Sequence, residues 1–253
     1  MLVRTAALAA ALAFAAGTAV QAAEIRVLQS GAFKAAMADI KPLFEQVSGH
    51  KLKLDADTSG RIAVRIDKGE ETDLIVSTSA GVDDLIKQGK VLADSKVAVA
   101  RAGVGVVVRK GAPKPDISTP DKFKQALLDA KAVAYTNPAS GGQSGVYFAK
   151  LLVQLGITDE INKKAKFGDG GPVAVIVGKG DAEIGMQPIP ELLAHAYVAD
   201  FVGPLPAALQ SYNHLTGGIP ANSKQPEAAR ALLKFLATPA AQAIIKAKGM
   251  EPG

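Results

Sequence analysis

Four times in this chain an apolar, strand-like run ends in a small hydroxyl residue and a helical segment follows. The junctions are Ser30-Gly31 after EIRVLQ, Ser59-Gly60 after KLKLDADT, Ser77-Thr78-Ser79 after DLIV, and the stretch from Ser140 to Gly145 after AVAYTNPA. Strands alternating with helices restrict the fold to an α/β architecture with a mainly parallel sheet and ligands at the carboxyl ends of the strands. A helix N-terminus presents unpaired N–H groups and the positive end of its dipole. A serine there adds a hydroxyl donor, and a glycine lets a ligand approach the backbone. Several such ends facing one crevice would bind an anion with no metal and no buried lysine.

The rest of the pattern extends this reading. Phe33, Ala36, Met37, Ile40, Leu43, Phe44 and Val47 fall at helical spacing and predict a core-facing helix over 33–48, stopped by Gly49. Short helices are predicted over 61–68 and 82–88, and further helices over 122–130, 145–155, 173–179, 225–237 and 239–248. Strands are predicted at 132–136 and 183–186. Two valine- and glycine-rich connectors, near 100–108 and 201–219, divide the chain into an outer and an inner part. They predict two lobes with a cleft between them, residues 23–101 with 205–253 forming one and 102–204 the other.

The first 22 residues read as a leader. They carry an early charge at Arg4, an alanine-rich apolar stretch and small residues at the end. Val20-Gln21-Ala22 fits a signal-peptidase site, with Ala23 as the neighbouring choice, so export with cleavage after Ala22 is expected. The apolar stretch is too short and alanine-rich for stable spanning, which needs ~20 strongly apolar residues. The chain has no cysteine, which excludes disulfides and thiolate chemistry. Its net charge of +5 is modest and scattered; with no tryptophan and 5% aromatic residues there is no stacking platform, so nucleic acid is not an expected partner.

These residues resemble the periplasmic molybdate-binding proteins of ABC importers, within the larger type II solute-binding proteins. The resemblance spans nearly all of residues 24–253. It rests on Ser30 after the first strand, the Thr58-Ser59-Gly60 turn, the run from Gly69 to Ser77, the segment from Gln143 to Ala149, and the segment from Val177 to Gly185. It implies a two-lobed type II periplasmic-binding-protein fold, each lobe a mainly parallel sheet flanked by helices, with two crossover strands. It also implies a monomer in the periplasm that captures a small anion without cofactor or metal and delivers it to importer membrane subunits. Carried over residue by residue, the donors fall on Ser30 with Gly31, Ser59 with Gly60, the backbone near Ser77 and Thr78, Ser144, and the Gly170-Gly171 turn.

Two positions depart from that pattern. Where molybdate binders commonly carry a tyrosine hydroxyl, this chain has Met186-Gln187-Pro188, and Gln187 offers an amide instead. Arg61 follows Ser59-Gly60 and suits a planar carboxylate gripped bidentately; it is read equally as a solvated first-turn residue. An organic carboxylate therefore stands beside molybdate as a candidate ligand. Some proteins resembling this family are periplasmic isomerases of an unsaturated tricarboxylate, the aconitate isomerases. That chemistry needs a base within reach of an acidic C–H and cations that hold the carboxylates. His214, on the return connector, is the candidate base. His50 and His195 read as structural, while Lys34 and Tyr147 lie near two of the helix ends. The three histidines lack metal-ligand spacing, and no Gly-x-Gly-x-x-Gly follows a strand.

Overall fold

The structure, a computed structural model, describes residues 22–169 and 171–253. The leader through Gln21, and Gly170, lie outside the described residues. The chain begins with β1 (Glu24–Ser30), α1 (Gly31–Ser48), β2 (Lys51–Asp57), α2 (Ser59–Asp67), β3 (Leu74–Thr78), α3 (Ser79–Lys87) and β4 (Val97–Arg109). It continues through α4 (Pro120–Asp129), β5 (Val133–Thr136), α5 (Gln143–Leu155), α6 (Thr158–Asn162), β6 (Ala165–Gly168), α7 (Val173–Lys179), β7 (Ile184–Pro188), α8 (Ile189–Leu193) and β8 (Ala199–Pro204). It returns with β9 (Tyr212–Gly218), α9 (Pro226–Leu236), α10 (Pro239–Ala247) and the short β10 (Glu251–Pro252).

One continuous sheet runs in the order β2-β1-β3-β9-β4-β7-β5-β6. Pairing is parallel among β1, β2 and β3 and again among β5, β6 and β7. The thirteen-residue β4 is common to two halves. Its first stretch pairs with β9 and β10, its second with β7 and β8, all antiparallel. The switch falls at Val104: its N–H donates to Gln210 Oε1 at 2.8 Å, and its carbonyl accepts from Gln210 Nε2 at 3.0 Å and from Leu205 N at 3.1 Å. Polar backbone that leaves one partner strand is thus paired before the next strand takes over.

Each half has its own core. In the first, Phe33, Met37, Ile40 and Phe44 of α1 pack with Leu232, Leu236 and Ile245. The rings of Phe44 and Phe235 meet edge-on at 5.5 Å. In the second, Tyr135, Phe148, Phe123 and Leu151 form the centre, with Tyr135 and Phe148 4.8 Å apart. The α1 side chains are the set that helical spacing picks out, apart from Leu43 and Val47, which are exposed.

The elements differ from expectation mainly at their starts. Helices α1, α2 and α3 begin at Gly31, Ser59 and Ser79, two or three residues before the predicted first turns. Polar cap residues hold the first turns of α2 and α3: the Thr58 hydroxyl accepts from Arg61 N, and the Thr78 hydroxyl from Gly81 N. The stretch expected only as a connector contains β9, and β6 and α6 had no counterpart in the pattern.

Buried Asp73 ties the returning chain to the first half. Its Oδ2 accepts from Arg26 N at 2.9 Å. Its Oδ1 accepts from the Ser223 hydroxyl at 2.9 Å and from Lys224 N and Gln225 N at 3.0 Å, at the entry to α9. Asp73→Ala strips the shared acceptor from four part-buried donors, of which Gln225 N alone keeps another partner, the Ser223 hydroxyl. It is expected to cost about 3 kcal/mol or more, read as a lowered urea midpoint with unchanged slope.

Candidate functional site

The carboxyl ends of β1, β2, β5 and β7 converge where the two halves meet, and the first residues of α1, α2, α5 and α8 surround the space between them. The resulting cavity has a volume of about 380 Å³. The first half contributes Ser30, Gly31, Lys34, Thr58, Ser59 and Asn213, and the second contributes Gln143, Ser144, Gln187, Glu191 and His195. Alanines of α1 and Pro172, Pro188 and Pro190 fill much of the remaining wall.

Several polar groups in this wall have no competing structural role. Ser30 is the N-cap residue of α1, yet its side chain makes no capping bond. Asn213 is buried, and its Oδ1 has no partner among the described residues. The Ser144 hydroxyl makes only a long contact, 3.4 Å, to Thr136 Oγ1. By contrast the Gln187 amide is fully engaged. Its Oε1 accepts from Val173 N at 2.9 Å, and its Nε2 donates to Glu191 Oε2 at 2.6 Å, with a long contact to the Gly171 carbonyl at 3.4 Å. Gln187 therefore positions its neighbours rather than offering a free donor.

The halves also touch directly. Gly60 N donates to the Gly141 carbonyl at 3.2 Å, and the Thr58 hydroxyl donates to the Ser140 carbonyl at 2.6 Å. A Cβ at Gly60 would sit 2.8 Å from Gly141 Cα, so the backbones meet with no room for a side chain.

The electrostatics are unusual for an anion site. Burial pushes the Glu191 carboxyl up to about 7, with Lys34 pulling in the other direction. Asp57, also in the wall, is flanked by Arg65 at 3.5 Å and Arg61 at 3.7 Å. Among the described residues Lys34 is the lysine that faces the cavity, and no arginine lines it.

A family model for bacterial extracellular solute-binding proteins matches residues 25–251. The chain belongs to that family. An aconitate isomerase of a Pseudomonas species is 35% identical over 234 residues, 90% of this chain and 87% of the relative. The molybdate-binding protein ModA of Azotobacter vinelandii is 27% identical, covering 91% of each chain. The solved structure of an Azotobacter vinelandii periplasmic molybdate-binding protein superposes with a TM-score of 0.77 at 20% identity, covering 90% of this chain and 99% of that one. The fold is accordingly the two-lobed solute-binding fold. Membership also places the protein among bacterial extracellular proteins that bind a small solute.

The expected site residues divide sharply. Ser30, Gly31, Ser59, Ser144 and Gln187 line the cavity. His214 does not: β9 alternates, so Asn213 points inward and His214 is exposed on the other face. Arg61 lies on the outer rim, where its Nη1 donates to the Asp169 carbonyl at 3.3 Å, because α2 starts two residues before it and turns it away from the cavity. Gly60 is used in the contact with Gly141 and borders a side groove with Arg61. Ser77 is buried and does not line the cavity, Thr78 caps α3, and the Gly171 carbonyl accepts the long contact from Gln187. Tyr147 is committed elsewhere, its hydroxyl donating to the Leu209 carbonyl at 2.6 Å.

Glu191 gives a sign-definite prediction. Between the ordinary carboxyl value of 4.5 and about 7, the folded protein holds a proton that the unfolded chain has released. Its contribution to stability therefore falls as pH rises through that window. Glu191→Gln removes this loss, so the variant's melting temperature is expected to gain on wild type from about pH 5 to about pH 8 in the ligand-free protein.

Proposed function

We propose that this protein captures a small organic anion bearing carboxylates between two lobes, residues 23–101 with 205–253 and residues 102–204, and delivers it to the membrane subunits of an ABC importer. It acts as a monomer released by cleavage after Ala22. The observation that carries this reading is the placement of Ser30 and Ser59 from one half opposite Ser144 from the other around one cavity. A ligand touching both sets favours closure, because only the closed arrangement satisfies both.

Two features favour a carboxylate over a tetrahedral oxyanion. The cavity is within the ~300–1,000 Å³ range of organic-ligand sites, roomy for an ion of five heavy atoms. Glu191 also faces it, and a site that holds an oxyanion by fixed neutral donors has no use for a titratable carboxyl. The same residue favours a second reading, isomerisation of an unsaturated polycarboxylate. The resemblance to an aconitate isomerase at 35% identity supports that reading.

A thermal-shift panel of molybdate, tungstate, sulfate, phosphate, citrate and trans-aconitate discriminates the ligands, since a tight ligand raises the melting temperature by mass action. The carboxylates are expected to give the shift; a shift with molybdate alone returns the site to the oxyanions. By calorimetry, Ser59→Ala is expected to weaken carboxylate binding by roughly 1–3 kcal/mol, the cost of an unmade hydrogen bond to a charged group. Arg61→Ala should leave the affinity within about threefold, as its guanidinium lies outside the cavity. Unchanged affinity in Ser59→Ala removes that hydroxyl from the site.

A further inference from the structure

We infer that Glu191 is a catalytic carboxyl, taking a proton at Oε1 from a carbon of an unsaturated polycarboxylate and returning it to another carbon of the same molecule. This rests on the cleft being the carboxylate site.

Placement comes first. The five-residue α8 leaves β7 at Pro188 and projects Glu191 across the junction onto the first turn of α1. A Cβ built on Gly31 would meet Glu191 Oε2, Cδ and Oε1 at 3.2, 3.3 and 3.4 Å. Three near-equal distances mean that the carboxyl lies flat over Gly31, in space that exists because residue 31 has no side chain. A carboxyl serving only to hold the fold would have a cation or several N–H donors around it, as Asp73 has. Glu191 receives one amide, and Lys34 acts on it through space without an ion pair among the described residues.

The hydrogen bonds then distinguish the two oxygens. Gln187 cannot exchange its amide ends, because its Oε1 takes the Val173 N–H. Nε2 must therefore donate, and Oε2 must accept. The proton belongs to Oε1, which has no protein partner among the described residues. Burial holds the group near neutrality in its titration, so both the acceptor and donor forms are accessible, as a residue that takes and returns a proton requires.

The step balances without a co-reactant. The C–H bond beside the double bond breaks, its electron pair enters the conjugated system toward the neighbouring carboxylate, and an Oε1–H bond forms. That bond then breaks as a C–H bond forms at the far end of the conjugated system. The double bond has moved, with no change of oxidation state. The charge that gathers on the substrate carboxylate meets Lys34 and the N-terminal turn of α1. The other titratable groups facing Glu191 are Asp57 on the opposite wall and His195. The His195 Nδ1 lies 2.9 Å from the Glu191 carbonyl oxygen; that oxygen only accepts, so Nδ1 is the protonated nitrogen.

The test follows the protein with trans-aconitate in D2O by proton NMR, with calorimetry on the same samples. Deuterium is expected in the carbon-bound positions together with growth of the cis isomer. Glu191→Gln should slow both by at least ~100-fold, within the range of general acid–base contributions, while trans-aconitate still binds. Gly31→Ala, favourable within a helix, should displace the carboxyl and slow exchange about tenfold or more without lowering the melting temperature. Exchange at the wild-type rate in Glu191→Gln overturns the inference. Wild-type protein that binds trans-aconitate without exchange overturns it and leaves capture standing. Absence of binding by any carboxylate overturns the capture reading and this inference together.

Discussion

The molecule is organised by β4. A strand of thirteen residues that belongs to both halves fixes where they meet, because its hydrogen bonds cannot be moved without unpairing buried backbone. The pairing changes at Val104, and Gln210 supplies the acceptor for its N–H while the Gln210 amide and Leu205 N share its carbonyl. Asn213 pairs with Ala102 just before that point, and Gln187 and Pro188 with Gly105 and Val104 just after it. The floor of the cleft is thus a property of strand register. The helices bring the remaining groups to it from the carboxyl ends of the parallel strands.

Charge in the cleft is arranged by separation. The guanidinium of Arg65 lies against Glu70 and Asp55, holding both carboxyls below their ordinary range, and reaches within 3.5 Å of Asp57. These acids are neutralised at the periphery. Glu191 has no such neighbour, and burial raises it. The two outcomes for one chemical group follow from whether an arginine arrives before water is excluded.

The alternation of strand and helix was legible because it depends on local periodicity, as were the α1 core face and the hydroxyl residues at three of the helix ends that line the cavity. What escaped depends on contacts between distant parts. The burial of Glu191 comes from α1, some 160 positions earlier in the chain, and its own helix is only five residues long, too short for helical periodicity to register. Asn213 was missed for its neighbour His214. Recognising β9 as a strand would have separated the two, since alternation sends adjacent side chains to opposite faces. Arg61 was drawn toward the site by a helix start placed two residues late.

The approach of Gly60 to Gly141 carries a consequence for how the molecule works as a machine. Two bare backbones act as a mechanical stop that sets the narrowest gap the jaws can reach, and any methyl group on either would act as a spacer. Because Gly141 also adopts a left-handed conformation with φ of 69°, it resists replacement on two separate grounds. A single carbon at Gly60 would prop the jaws ajar while leaving every cavity donor in place, yielding a molecule with an intact site that never shuts.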